Sequence, residues 1–168
     1  MHALKIQKTI NHSPDKVWSS LNNFSDIWMF HPLVANSSSL NDQSCGLGAE
    51  RQCTLYNGGQ LKERVSAHDA ENRTLTVEVT DHGPFPLTHM ELTMSVEPDG
   101  AGSRVLLEGG FVPKYGPIGW VMGTLMMKPQ FEKLLGQLID GLDTHLSTGR
   151  IIEKGGKVGE PLKTAAAA

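Results

Sequence analysis

Polar and apolar residues alternate through residues 3–11, where Leu4, Ile6 and Ile10 stand against Lys5, Gln7, Lys8 and Asn11. A period of two marks a strand with one buried face. Ser13-Pro14-Asp15 follows, with a hydroxyl able to cap a helix and a proline at the first helical position, where its missing N–H costs nothing. Val17, Trp18 and Leu21 give that short helix its apolar stripe, and a second helical turn is expected over residues 25–29. His31-Pro32 ends it, because the residue before a proline is pushed out of the α region. Strand-like segments then succeed one another at residues 33–40, 49–56, 60–68, 74–80, 87–96 and 103–112. Turn chemistry joins several of them, most clearly Asn57-Gly58-Gly59 and Asp99-Gly100, which reads as an antiparallel meander.

After Gly116-Pro117 the period changes. Ile118, Val121, Met122, Leu125, Met126, Phe131, Leu134, Leu135, Leu138, Ile139, Leu142 and Leu146 recur at helical spacing, about every 3.6 residues. Pro129 should kink or divide this long helix, and Gly149 should end it. Residues 149–168 are polar and glycine-bearing and read as a tail behind a domain of residues 1–148. The expected class is therefore α+β. A curved antiparallel sheet of about seven strands wraps a long C-terminal α-helix in a helix-grip arrangement, with two short helices after the first strand.

Composition narrows the function. Hydrophobic residues at 39% and charged residues at 20% are ordinary for a globular domain. A net charge of −3 gives no basic footprint for nucleic acid. No apolar run is long enough to span a bilayer, and the N-terminal residues lack the apolar core of a signal peptide, so a cytoplasmic location is expected. Cys45 and Cys53 are expected to be reduced there. Their spacing and that of the seven histidines match no metal signature, and no nucleotide-binding or nucleophile-elbow motif is present. No metal or cofactor is expected.

Arg51 shares a strand face with Cys53 and Leu55, and Glu63 with Leu61 and Val65. Both charges should point inward and lie near one another across the Asn57–Gly59 hairpin. An unpaired buried charge is costly, so they should form an ion pair, which either orients a ligand or simply holds the sheet in register. His89 and Glu91 should lie outside, opposite Met90, Leu92 and Met94. Trp28, Phe30 and His31 suggest an aromatic lip with a histidine able to serve as a base. Tyr115, just before the long helix, could donate a phenolic hydrogen bond in a pocket, whereas Tyr56 should face outward. Met90, Met122 and Met126 suit an adaptable wall, and Trp120 falls partly off the helix stripe, toward a cavity or another subunit.

The segments INHSPDKVWSSLNNFSDIWMFHPLV (Ile10–Val34), GLGAERQCTLYNGGQLKERV (Gly46–Val65), GPFPL (Gly83–Leu87) and FVPKYGPIGWVMGTLMM (Phe111–Met127) together resemble the SRPBCC or START-like superfamily, in particular its polyketide cyclase/dehydrase-like branch. The resemblance implies an internal cavity for a small apolar or aromatic molecule, lipids included. Trp28, Phe30, Leu55, Val77, Met90, Phe111, Trp120, Met122 and Met126 are the candidate ligand contacts. It equally implies an enzyme, a lyase or isomerase that cyclises or dehydrates a polyketide-like substrate, with Arg51, Glu63, His31 and Tyr115 as catalytic candidates. A third implication is an interaction module, whose sign would be a large exposed apolar patch. A monomer or a homodimer fits each of these.

Overall fold

The computed structural model describes residues 1–162. Seven strands form one antiparallel sheet: β1 (His2–Ile10), β2 (Val34–Ser39), β3 (Glu50–Leu55), β4 (Gln60–Asp69), β5 (Thr74–Asp81), β6 (Leu87–Asp99) and β7 (Gly102–Pro113). Their spatial order is β1-β7-β6-β5-β4-β3-β2. Consecutive strands from β2 to β7 are neighbours, as a meander requires, and β1 closes onto β7 at the far edge. Between β1 and β2 lie α1 (Pro14–Asn22) and a 3₁₀ turn at Phe24–Met29. Ser13 caps α1 by accepting the Lys16 N–H, as the Ser-Pro start implies.

The long helical region is divided. It comprises α2 (Gly116–Met122), a π turn (Gly123–Met127) and α3 (Lys128–Thr148). Pro129 explains the division. It has no N–H to donate, and its ring would crowd the carbonyl four residues back. The turn ahead of it widens, with the Lys128 N–H bonding to the Gly123 carbonyl. Gly149 ends α3 in the left-handed conformation at φ 68°. α3 presents Phe131, Leu135, Leu138, Ile139 and Leu142 to the concave face of the sheet, and all are buried. Lys8 of β1 ties to it from outside, bonding to Asp140 at 2.6 Å.

The tail expected after residue 148 is replaced by structure. β8 (Arg150–Glu153) and β9 (Lys157–Pro161) pair as a hairpin, and Ile152 is only 1% exposed. The close approach depends on Gly141, where a Cβ would come within 2.3 Å of the Phe30 carbonyl oxygen and 3.5 Å of Ile152. Ala165–Ala168, at the end of that stretch, lie outside the described residues.

Candidate functional site

Sheet and α3 do not close completely on each other. A cavity of about 90 Å³ remains between them. Its walls are mostly aliphatic and aromatic: Leu55, Val77, Met90, Met94, Phe85 and Phe131 among others. The polar residues of its lining are Arg51, Cys53, Glu63 and His31, which stand near one another, and His82 in the β5–β6 turn.

The alternation of β3 puts Arg51, Cys53 and Leu55 inward, and all three are buried. Arg51 is directly opposite Glu63 in the β3–β4 ladder. Its Nε donates to Glu63 Oε2 at 2.6 Å, and its Nη1 donates to the Phe24 carbonyl. The guanidinium also lies 3.8 Å from the centroid of the Phe24 ring, a cation–π contact strengthened by the low exposure of both groups. Cys53 Sγ donates to the same Glu63 oxygen at 3.4 Å. Burial, helped by the Glu63 charge, pushes the Cys53 thiol up to about 12. It is therefore a weak hydrogen-bond donor and not a nucleophile at neutral pH.

His31 follows the 3₁₀ turn. Its Nδ1 accepts the Leu33 N–H at 3.1 Å, which places the ring proton on Nε2. Burial lowers its pKa to about 4, with Glu63 acting against that shift and Arg51 with it. The ring is neutral at physiological pH and offers Nε2–H as a donor.

His82 is the residue that alternation along β5 does not reveal. It opens the turn His82-Gly83-Pro84-Phe85, closed by the Phe85 N–H donating to the His82 carbonyl at 3.0 Å. Gly83 has φ 51°, and a Cβ there would meet the Gln60 carbonyl oxygen at 1.8 Å. The glycine lets the turn press against β4, and the turn brings His82 and Phe85 to the cavity wall. His82 Nε2 is buried with no hydrogen-bond partner among the described residues. Its pKa is lowered, first by burial and then by the neighbouring Lys114 and His89 charges. Gly83-Pro84 was a visible turn signal, but which side chains it aims inward depends on the contact with β4.

The structure brings Arg51, Glu63 and His31 together, and Leu55, Val77 and Met90 join them in the wall. The other candidates lie elsewhere. Tyr115 is 71% exposed and does not line the cavity; it sits at φ 72° ahead of α2 and points to solvent. Trp120, Met122 and Met126 are exposed on α2 and the π turn, because glycines occupy the inward positions there. Phe30 and Phe111 are core residues behind the wall, Phe30 beside His145 and Phe111 edge-on to Phe131 at 4.9 Å. Trp28 packs against the core without reaching the cavity. The phenylalanines that do line it, Phe85 and Phe131, have centroids 5.9 Å apart and bridge the β5–β6 turn to the first turn of α3. Among the described residues no group of His, Cys, Asp and Glu could hold a metal ion, and no helix is long and apolar enough to cross a membrane.

Residues 1–147 match the family model for polyketide cyclase / dehydrase and lipid transport. No curated protein matches this sequence. Among solved structures, XoxI from Bacillus cereus superposes with a TM-score of 0.72 at 19% identity, covering 88% of this chain and 97% of that one. A protein from Thermobifida fusca gives 0.70 at 21% identity, covering 88% and 94%. Ara h 8.0201 gives 0.70 at 15% identity, covering 88% and 98%. These likenesses establish the helix-grip fold.

Proposed function

The chain belongs to the polyketide cyclase / dehydrase and lipid transport family, and from that premise we propose that it binds and carries a small apolar molecule bearing one polar group. The observation that carries this reading is a buried Nε2 on His82 with no hydrogen-bond partner among the described residues, in a lining that is mostly apolar. A sealed, unsatisfied polar atom costs free energy, about 1–3 kcal/mol, and a ligand hydroxyl or carbonyl would remove that cost. His31 Nε2–H supplies a donor elsewhere in the lining. At about 90 Å³ the cavity is smaller than the ~150 Å³ that accommodates benzene. A ligand of that size or larger requires Met90 and Met94 to shift, which unbranched thioethers do at low cost.

Carriage is favoured over cyclisation or dehydration because the groups an enzyme would need are otherwise engaged. Glu63 is held by Arg51 and Cys53, His31 is a weak base at about 4, and Tyr115 lies outside the cavity.

The test is a calorimetric titration of the protein with 2-naphthol and with naphthalene, alongside native mass spectrometry of freshly purified protein. Naphthol should bind roughly tenfold tighter, as expected for one satisfied buried hydrogen bond, and His82→Leu should abolish the difference. Equal binding of the two probes, or none, would sink the reading. Turnover of a polyketide-like substrate that Glu63→Gln abolishes would replace it with the enzymatic one.

A further inference from the structure

Between Gly116 and Met127 the usual arrangement of a surface helix is turned inside out. Such a helix ordinarily packs its large apolar residues inward and shows polar ones to water. Here the buried positions are Gly119 and Gly123. A Cβ on Gly119 would lie 1.6 Å from the Lys114 carbonyl oxygen. One on Gly123 would lie 2.6 Å from His2 Nε2 and 2.7 Å from Pro113 Cγ. The segment thus seats its bare backbone on the end of β7 and the start of β1. Its outward positions carry Ile118 at 72% exposure, Leu125 at 71%, Trp120 at 51%, and Val121 and Met126 beside them. The Trp120 ring is fixed in place by His2, with centroids 4.1 Å apart.

Charge distinguishes the occupants that could cover this face. From Gly109 to Phe131 there is no Asp or Glu, while Lys114 and Lys128 stand at the two ends of the apolar run, in a chain whose net charge is −3. Lys128 comes within 3.8 Å of Glu132, and Lys114 has no carboxylate partner among the described residues. A two-fold contact with a second copy would set this patch against itself. It would gather lysines with no acid inside the patch to pair them. An anionic bilayer answers both features. The apolar face would lie in the interface, with Trp120 and Tyr115 at headgroup depth and the lysines on the phosphates.

We propose that the face from Tyr115 to Met126 docks the protein on anionic lipid bilayers, lying in the interface without spanning it. The face adjoins the cavity. The Lys114 N–H donates to the Pro86 carbonyl at 2.8 Å, and Phe85, one residue earlier, lines the cavity with Phe131. Docking needs no ligand in the cavity, so it can be read separately from the carrier function.

The test is cosedimentation of the full chain with vesicles of phosphatidylcholine alone and with vesicles containing added phosphatidylglycerol. The protein should pellet with the anionic vesicles, and less so as salt rises. Leu125→Glu and Ile118→Glu should each lower the bound fraction roughly tenfold. Lys114→Glu should weaken binding to anionic vesicles selectively. All three residues project into solvent, so melting temperature and circular dichroism should be unchanged. The proposal is overturned if anionic vesicles pellet no protein, or if Leu125→Glu binds as well as the parent. It is equally overturned if the face instead forms a concentration-dependent dimer, or seats another protein, that Leu125→Glu abolishes while vesicles are ignored.

Discussion

Arg51 and Glu63 stand directly opposite each other on adjacent strands, Nε to Oε2 at 2.6 Å, in a cavity wall otherwise built mainly of aliphatic and aromatic side chains. The arginine is 4% exposed. Removing one partner leaves the other charged and poorly solvated, and such losses run to about 3–5 kcal/mol. Arg51→Met should therefore lower the urea midpoint substantially. Arg51→Met with Glu63→Leu should recover much of the loss, since a matched apolar pair has no charge to solvate. A double-mutant cycle by urea denaturation measures this coupling. If the double variant is no more stable than Arg51→Met, the cost comes from the lost contacts with Phe24 and not from the stranded carboxylate.

His31 makes stability depend on pH. Its folded pKa is about 4 against an ordinary 6.5, so between those values the unfolded chain binds the proton and the folded chain does not. Stability should be complete above about pH 6.5 and fall as pH drops toward 4, by roughly 3 kcal/mol across the window. Denaturation curves at pH 4.5, 5.5 and 7 on the parent and on His31→Gln measure the effect. The variant should show a clearly shallower dependence, and an unchanged slope would mean that other groups carry it.

The two thiols should differ sharply in reactivity. Cys45 is exposed, while Cys53 is buried with its pKa near 12. A chromogenic disulfide reagent at neutral pH should titrate one thiol per chain at once, and the second only on unfolding. Prompt reaction of both would show that the cavity wall opens far more readily than its packing suggests.

The hairpin β8–β9 should matter for stability although it lies outside the sheet. Ile152 fills a space beside Gly141 and is fully buried. Ile152→Ala should cost about 2–4 kcal/mol, measured by urea denaturation. A cost below ~1 kcal/mol would show that the hairpin is ornamental.

Much of the site is legible in the amino-acid sequence. Alternation through Arg51, Cys53 and Leu55, and through Leu61, Glu63 and Val65, identifies inward faces, and Asn57-Gly58-Gly59 sets the hairpin that brings the charges together. His82 was not legible, because it leaves the strand pattern at a turn whose tilt depends on Gly83 meeting β4. The α2 stripe misled for a related reason. Periodicity shows that Ile118, Met122 and Leu125 share a face, but not which side that face takes. Gly119 and Gly123 settle the side through a backbone approach that a hydrophobicity pattern does not register. Ile152 is one of two adjacent isoleucines in a polar stretch, and which of them is buried is a tertiary fact with no local signature.

The inverted helix also bears on how the molecule opens. Since the large side chains of α2 and the π turn contribute little to the core, detaching that segment exposes little new apolar surface. Its opening free energy should lie well below that of the sheet, and its amides should exchange with solvent earlier than those in the second half of α3. The segment runs directly into the turn bearing Phe131. The cavity's aromatic pair should thus be hinged to a part of the chain that unfastens before the sheet, and passage of a ligand should not wait for the β-sheet to yield.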